Sequence, residues 1–472
     1  MTRKTFAIAT ALIGSAALFG YLSSAAPQAG RPGDPNRPQA CQVRPETPPD
    51  PSSGPPPELK PTTITTIGQA YYCILDNYYR GPILDHRSML IAAFAGITQE
   101  LQRRGLDQPQ AMPPALTGKA DADWAAFNQA YQQITAKLPD DPAVQQAIAE
   151  ATMRALMDSL NDNHVGWRRS FTANLSGISL SAFVGPVHLD PSAREPVFIT
   201  EATGPAERAG VRSGDEIVAI NGVPPFINGV LSAGAVKWIT ESKRDTAMEL
   251  TLHRPATDAT FKVMVTPGPS QPPDQGSDAK LLEGNIGYVK VQGFAVDVVD
   301  RALAAIADFR KNTQLRAVVI DLRRNGGGSS EAGARLLGAL AHDKGIGYWC
   351  DARDHCTENR PDDSAQLLNL PVVALIDRGC ASACDMFASA VKDLHLATLV
   401  GARTAGEASG PAATYQLEDG SGLSLPKFYQ IGANKEIVNT IGVAPDYFAP
   451  MTAADLSAGR DPGLAKAQEL LR

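Results

Sequence analysis

Apolar residues recur at helical intervals after residue 59. Three groups carry this spacing: Ile67, Ala70, Tyr71 and Ile74; Leu90, Ile91, Phe94 and Ile97; and Val144, Ile148, Ala151, Ala155 and Leu156. Side chains three and four positions apart share one face of an α-helix. The pattern predicts a helical domain over residues 59–172, interrupted by a loop between Gly105 and Gly118.

The pattern changes to short β-branched and apolar runs between residues 175 and 267. Strands are predicted at 197–199, 216–220, 248–252 and 261–265. This region therefore reads as a β-rich domain. The segment 268–278 is rich in Pro, Gly and Ser, which is typical of a linker.

Apolar strands alternate with amphipathic helices from residue 279 to residue 472. Predicted strands lie at 286–291, 317–322, 371–376 and 398–400, and predicted helices lie around 299–306, 336–340 and 383–391. Such alternation indicates an α/β sheet covered on both faces, where ligands gather at the carboxyl ends of the strands.

Two of these strand ends carry unusual residues. Ser382 lies at the mouth of the helix after the 371 strand, where the helix dipole and free N–H groups stabilise negative charge. With Asp385 it also forms a Ser-x-x-Asp capping box, which needs no catalytic role. The run 325–329, Asn-Gly-Gly-Gly-Ser, is either a flexible turn or a set of backbone N–H groups placed against an oxyanion.

Composition and the N-terminus narrow the class of protein. Arg3 and Lys4 precede an apolar run and small residues, so residues 1–25 are predicted to be a signal peptide, with an uncleaved anchor as the alternative. A Pro-rich linker follows at 26–58, and no later stretch is apolar enough to span a bilayer. The mature chain is expected to be exported, secreted or in the cell envelope. A net charge of −7 argues against nucleic-acid binding.

Six cysteines in an exported chain suggest disulfides. Spacing favours short loops closed by Cys350 with Cys356 and Cys380 with Cys384, which leaves Cys41 with Cys73. A zinc site is the alternative, but the sequence has no Cys-x-x-Cys pair and no His-Glu-x-x-His run. We therefore predict neither a metal nor a cofactor.

The segment 204–215, Gly-Pro-Ala-Glu-Arg-Ala-Gly-Val-Arg-Ser-Gly-Asp, closely resembles the signature of PDZ domains. The resemblance implies that an extended peptide C-terminus adds as a strand to the domain. The peptide would bind near Phe183, Val184 and Gly185. The alternative is a docking domain that binds no peptide.

The chain as a whole resembles the C-terminal processing and tricorn-type serine peptidases over residues 60–450. The motifs are the run 321–328, the turn 377–385, Gly401-Ala-Arg-Thr-Ala-Gly406 and Gly442-Val-Ala-Pro-Asp446. The resemblance implies an α/β multidomain fold with a helical domain, a PDZ domain and a ClpP/crotonase-like catalytic core. It gives Ser382 the nucleophile position, and Gly327 or Gly328 with Ala383 the oxyanion hole.

The general base distinguishes two branches of this family. Where the processing branch has a lysine, twenty-five residues after the serine, this chain has Glu407. The tricorn-like branch takes a histidine from an Asp-x-His motif, which Asp162-Asn163-His164 matches. An imidazole is a suitable partner for a serine hydroxyl. Taken alone, a histidine such as His164 is more often a structural or exposed residue than a catalytic one.

Several residues are candidates to orient the His164 ring. Asn439 stands where the tricorn-like branch has a glutamate, with Glu436 nearby, and Asp162 is a second candidate. Cys384 is an alternative nucleophile, unless it is paired with Cys380.

Three functions fit these residues. The leading hypothesis is an exported serine endopeptidase that cleaves unfolded or C-terminally exposed polypeptides by acyl-enzyme chemistry. The second is a catalytically inactive peptide-binding scaffold of the same fold, which Glu407 and Asn439 favour. The third is a carrier of a small, retinoid-type ligand. The oligomeric state does not follow from the sequence.

Overall fold

A computed structural model describes residues 41–43, 59–169, 196–202, 204–232, 246–266 and 279–472. The predicted signal peptide, most of the first linker and the linker at 268–278 lie outside these ranges. The predicted peptide-binding residues Phe183, Val184 and Gly185 also lie outside them.

The N-terminal part of the described chain is helical, as its periodicity predicts. After a short strand, four helices follow and then a second strand: β1 (Gln42–Val43), α1 (Ile64–Asn77), α2 (His86–Arg103), α3 (Ala120–Thr135), α4 (Pro142–Asp158) and β2 (Gly166–Arg168). Polar side chains of Thr63, Asp85 and Asp141 accept backbone N–H groups at the starts of α1, α2 and α4. The caps fix where these helices begin.

The PDZ-like region is a small β-rich unit. Its elements are α5 (Gly204–Arg208), β3 (Glu216–Ile220), β4 (Phe226–Ile227), β5 (Val230–Leu231), β6 (Met248–Arg254) and β7 (Ala259–Val265). Strands β3, β6 and β7 form an antiparallel sheet over a core that includes Ile199, Ile220 and Leu252. The strand predicted at 197–199 is reduced to a single bridge between Phe198 and Glu216.

The C-terminal part alternates strands and helices. Its elements are β8 (Ala279–Leu282), β9 (Ile286–Lys290), α6 (Val296–Asn312), β10 (Ala317–Asp321), α7 (Ser330–Gly338), β11 (Gly347–Cys350), β12 (Cys356–Asn359), β13 (Val372–Ile376), α8 (Ala383–Asp393), β14 (Thr398–Gly401), β15 (Ala412–Gln416), β16 (Gly422–Pro426), β17 (Tyr429–Ile431), β18 (Tyr447–Phe448), α9 (Ala453–Ser457) and α10 (Pro462–Leu470).

A six-stranded sheet forms the centre of this part, in the order β18-β14-β13-β10-β9-β8. All pairs are parallel except the edge pair of β8 with β9. Every residue of β10 and β13 is buried, because helices cover both faces. The predicted α/β multidomain fold is confirmed.

A second sheet joins the helical part to the C-terminal part. Its order is β1-β15-β16-β2, so two strands from the C-terminal part lie between two strands from the N-terminal part. Tyr415, Leu423 and Leu425 from β15 and β16 are buried in the same core as the four N-terminal helices. This sheet brings the residues after α4 to the C-terminal part of the molecule.

The structure places all six cysteines in disulfide pairs: Cys41 with Cys73, Cys350 with Cys356 and Cys380 with Cys384. These are the pairs that the spacing suggested. Among the described helices, none has the length and apolar character needed to cross a membrane.

Candidate active site

Ser382 lies in the sharp turn between β13 and α8, with φ 57° and ψ −118°. A positive φ is uncommon for a residue other than glycine, and such a conformation costs about 1–3 kcal/mol. Surrounding contacts must therefore hold the serine in this conformation. The Ser382 carbonyl accepts the Met386 N–H at 3.2 Å, so the residue stands directly at the start of α8.

The buried carboxylate of Asp385 ties this turn to a second one. It accepts the N–H groups of Ser382 at 3.0 Å, Gly406 at 2.9 Å and Glu407 at 2.8 Å. Burial and, to a smaller extent, the nearby Glu407 charge raise the pKa of Asp385 to about 6, although hydrogen bonds from Thr404 and from the Gly406 and Glu407 N–H groups lower it. The Ser382–Asp385 bond is one arm of the predicted capping box.

The glycine loop packs directly against the serine. Gly327 has φ 92°, and a Cβ added there would lie 2.7 Å from Ser382 Cβ and 3.0 Å from the Ala383 nitrogen. Asn325 holds the loop: its Oδ1 accepts the Gly327 N–H at 2.9 Å, and its Nδ2 donates to the Val291 carbonyl at 3.0 Å. Because this bond uses the Gly327 N–H, Gly328 is the better placed of the two glycines to donate to an oxyanion.

His164 is held by a chain of hydrogen bonds behind its ring. Its Nδ1 lies 3.0 Å from Ser409 Oγ, and Ser409 Oγ donates to Asp162 Oδ1 at 2.8 Å. The other oxygen of Asp162 accepts the Tyr78 hydroxyl at 2.9 Å, and its Oδ1 also accepts the His164 N–H at 3.0 Å. Ser409, in the middle of this chain of bonds, is only 3% exposed, whereas Asp162 and His164 are partly buried.

These bonds assign the tautomer of the imidazole. An ionised carboxylate only accepts hydrogen bonds, so the single Ser409 hydroxyl proton is donated to Asp162. The Ser409 oxygen then accepts from His164, whose Nδ1 must carry the proton. In the neutral ring, the other nitrogen, Nε2, then carries the free lone pair. It lies on the side of Gly410, 3.9 Å from where a Cβ would stand at that glycine.

The segment Gly406–Gly410 connects the serine side of the site to the histidine side. At its start, the Gly406 N–H donates to the Asp385 carboxylate, which also binds Ser382. At its end, Ser409 binds His164, and Gly410 lies against the His164 ring. In the middle, Asn439 Oδ1 accepts the Ala408 N–H at 2.8 Å. The Asn439 amide also donates to the Tyr79 hydroxyl at 3.1 Å, which anchors the segment to the helical part.

The structure thus brings most of the predicted site residues around one segment. The start of the segment lies near the Ser382 turn, which includes Ala383 and packs against the glycine loop that contains Gly327 and Gly328. Its end lies near His164 and Asp162. Glu407 belongs to the segment, and Asn439 binds its middle. Glu436 lies elsewhere: its carboxyl accepts from Ser389 at 3.2 Å and pairs with Asp393. Its described contacts do not include His164.

Three further residues of the site were not predicted from the sequence. Ser409 is the direct partner of His164, Tyr78 binds Asp162 and Tyr79 binds Asn439. The adjacent tyrosines directly after α1 were a possible signal, because buried tyrosine hydroxyls need partners. No spacing in the sequence marks Ser409.

The pairing of Cys384 with Cys380 removes the thiolate that a cysteine nucleophile requires. Within the described ranges, no group of three or more His, Cys, Asp or Glu side chains is arranged to hold a metal ion.

Comparison with known proteins identifies two domains. The family model described as peptidase family S41 matches residues 285–448, and a PDZ domain model matches residues 199–254. The chain thus contains a peptidase family S41 domain and a PDZ domain. The PDZ match contains the signature at 204–215, and the S41 match contains the glycine loop, the Ser382 turn and the segment Gly406–Gly410.

Curated relatives of this chain carry the names of processing peptidases. It is 30% identical to the chloroplastic C-terminal processing peptidase of Tetradesmus obliquus, over 59% of this chain and 61% of the relative. It is 27% identical to the carboxyl-terminal-processing protease of a Picosynechococcus species, over 70% of this chain and 78% of the relative. The chain thus spans less than two thirds of the algal relative.

Two solved structures show the same fold. The photosystem II D1 C-terminal processing protease has a TM-score of 0.51 at 22% identity, covering 83% of this chain and 93% of that one. Mature CPAF has a TM-score of 0.54 at 14% identity, covering 87% and 96%.

Proposed function

We propose that this chain is a serine endopeptidase of the Ser–His type that cleaves unfolded or C-terminally exposed polypeptides. Ser382 is the nucleophile and His164 the general base. The observation that carries the proposal is the hydrogen-bond chain from His164 through Ser409 to Asp162. It holds the imidazole with Nε2 unprotonated, which is the form that takes a proton from a serine.

The reaction would follow acyl-enzyme chemistry. Ser382 Oγ attacks the peptide carbonyl carbon while its proton passes to His164 Nε2. The N–H groups of Gly328 and Ala383 stabilise the oxyanion at the mouth of α8. The intermediate collapses as His164 protonates the leaving amine, which leaves an ester on Ser382. Water, deprotonated by His164, then releases the acyl group and restores both side chains.

Glu407 supports a histidine rather than a lysine mechanism. It occupies the position of the lysine in the processing branch, and a carboxylate is far less basic than an amine. Its N–H binds Asp385, so the residue keeps the role of fixing the turn below Ser382.

The PDZ domain would supply the substrate. It would capture an extended chain end at the strand expected near residues 183–185, and hold the rest of the polypeptide near Ser382. The predicted signal peptide places this activity outside the cytoplasm, where disulfides persist. Unfolded polypeptides are the partners that this arrangement serves.

Reaction with a fluorophosphonate probe tests the proposal, because the probe labels only an activated serine. We expect wild-type protein to be labelled, and both Ser382→Ala and His164→Ala to abolish labelling. His395→Ala, at an exposed histidine, should label like wild type. Glu407→Gln should also retain labelling, whereas its loss in that variant would assign the base to the carboxylate.

A second function, a peptide-binding scaffold without activity, is favoured by Glu407 and Asn439, which differ from the residues that the family has at these positions. It predicts that folded wild-type protein is not labelled from mildly acidic to mildly basic pH, yet binds an unfolded polypeptide. Cleavage of that polypeptide by wild type and not by Ser382→Ala would exclude it.

A further inference from the structure

We propose that the Cys380–Cys384 disulfide is a positioning element that holds Ser382 in its reactive backbone conformation. The inference rests on the proposed role of Ser382 as nucleophile. The disulfide closes a ring of five residues, and Ser382 is the middle one. Both the nucleophile and Ala383, an oxyanion donor, therefore lie inside a small covalent ring.

Other helices of this chain are preceded by a serine or threonine that does not lie within a disulfide ring, and they allow a comparison with Ser382. Thr63, Ser329 and Thr452 are the residues before α1, α7 and α9, with φ values of −122°, −69° and −109°. Each has the ordinary cap conformation, and each side chain accepts an N–H of its own helix. Ser382 differs, with φ 57°.

The two conformations differ in the direction that the backbone takes into the helix. In the ordinary cap conformation the hydroxyl turns toward the N–H groups of its own helix. In the observed conformation the Ser382 backbone turns toward the glycine loop, and Gly327 packs against it. Without a constraint, the serine would relax toward the first conformation, because positive φ is unfavourable for it.

The ring supplies this constraint at both ends. Cys380 and Cys384 are fully buried, and their Cα atoms lie 5.2 Å apart. The Cys380 carbonyl accepts the Ala405 N–H at 2.9 Å, and the Cys384 N–H donates to the Ala381 carbonyl at 3.0 Å. The disulfide thus joins the end of the β13 turn to the first turn of α8, and the three residues between them have little freedom to rotate.

The test is the double variant Cys380→Ala/Cys384→Ala in the full chain. Its matched control is Cys350→Ala/Cys356→Ala, which removes the other short-loop disulfide, in the β11–β12 hairpin. We expect the first variant to lower kcat and the fluorophosphonate labelling rate by roughly tenfold to a hundredfold, with KM unchanged. The control should keep the wild-type rate. Equal losses in both variants would overturn the proposal.

A crystal structure of the double variant gives a readout that does not depend on activity. A negative φ at Ser382 supports the proposal, and a φ that stays near 57° overturns it. The φ readout is valid even if wild-type protein is not labelled by the probe. Absence of labelling would contradict the proposed function, whereas the φ of Ser382 tests the role of the disulfide in the turn. If this variant does not fold, Cys380→Ser/Cys384→Ser is examined in the same way. Failure of both to fold would make the disulfide a requirement of the fold, against a positioning role.

Discussion

Gly327 shows how closely the site depends on one missing side chain. A Cβ there would lie 2.6 Å from the Ala381 carbonyl oxygen and 2.7 Å from Ser382 Cβ, at a backbone φ of 92°. Both distances are shorter than normal contacts, and most of the atoms concerned belong to the Ser382 turn. The glycine is therefore required by packing and by conformation.

Gly327→Ala should reduce fluorophosphonate labelling by roughly a hundredfold or more, because the turn must move to admit the methyl group. Gly326→Ala is the matched control, since no atom lies within 4 Å of its added Cβ. Labelling rates of both variants, compared with wild type, check the prediction. A Gly327→Ala rate equal to that of Gly326→Ala would show that the loop does not support Ser382.

Ser409 has a different role, since it acts through His164. Ser409→Ala removes the acceptor for the Nδ1 proton, so the imidazole is no longer held in the tautomer with Nε2 free. We expect kcat to fall by roughly tenfold or more while KM stays constant, as for a group that orients a base. Steady-state kinetics on an unfolded polypeptide measures this.

Ser421→Ala separates this effect from a general loss of a buried hydroxyl. Ser421 is also fully buried, but its oxygen accepts the Trp167 indole N–H at 2.8 Å and does not bind His164. Its loss should lower the unfolding free energy by about 1 kcal/mol and leave kcat unchanged. If both serine variants keep wild-type kcat, the hydrogen-bond chain has no part in catalysis.

The sequence predicts one side of the site better than the other, for a physical reason. Ser382, its turn and α8 are continuous in the chain, so strand, turn and helix signals stand side by side. Ser409 and Asp162 meet only because two strands from distant segments pair, Gly422–Pro426 with Gly166–Arg168. Motif resemblance located His164, but its partner had no local signal.

At the scale of elements, α8 carries acidic groups at both ends. Asp385 lies in its first turn, where the helix dipole favours a carboxylate, and Asp393 lies at its last residue, where the dipole opposes one. Burial, with the neighbouring Glu436 carboxyl, raises the pKa of Asp393 to about 7. Below that pH the Asp393 carboxyl is protonated and binds the Glu436 carboxyl.

This pair predicts a pH dependence of stability. Between its ordinary pKa of about 4 and about 7, Asp393 is protonated in the folded chain and ionised in the unfolded one. Folding therefore takes up a proton, and the unfolding free energy falls as the pH rises through this window. Asp393→Asn removes the effect, so its Tm relative to wild type should rise from pH 4 to pH 7.

The expected gain for Asp393→Asn above pH 7 is about 1 kcal/mol, because partial exposure screens part of the charge effect. Thermal unfolding at several pH values measures it. Asp308→Asn, at an exposed carboxylate of α6, should show no such trend. Asp385 also titrates in this window, in the variant as well as in wild type. The quantity that reports Asp393 is therefore the difference in Tm between Asp393→Asn and wild type at each pH. A difference that stays constant with pH would contradict the prediction.

Elements were predictable where burial alone determines them. Strands β10 and β13 are buried on both faces and appear in the sequence as unbroken apolar runs. The strands β15 and β16 have mixed burial and pair with β1 and β2 across the chain, so no local run predicts them. Their pairing depends on tertiary contacts, which override local preference.

At the scale of the whole molecule, the described residues of the PDZ domain contact the C-terminal part near α9 and near the glycine loop. Gly214 packs against α9, where an added Cβ would lie 2.3 Å from the Ser457 nitrogen and 2.7 Å from the Ala453 carbonyl. Arg324, beside the glycine loop, forms an ion pair with Glu201 at 2.9 Å. That pair is partly exposed and contributes little by itself. The close packing at Gly214 is therefore the more important contact.

Gly214→Ala should separate the PDZ domain from α9, because the methyl group has no room at that contact. Gly210→Ala is the matched control: its φ of 90° is similar to the 85° of Gly214, but no atom lies within 4 Å of its added Cβ. In both variants the positive φ lowers the unfolding free energy by about 1–2 kcal/mol. Only the difference between the two variants therefore reports the contact with α9. Small-angle scattering should show a larger radius of gyration for Gly214→Ala alone. Equal radii for the two variants would mean that the α9 contact does not hold the PDZ domain in place.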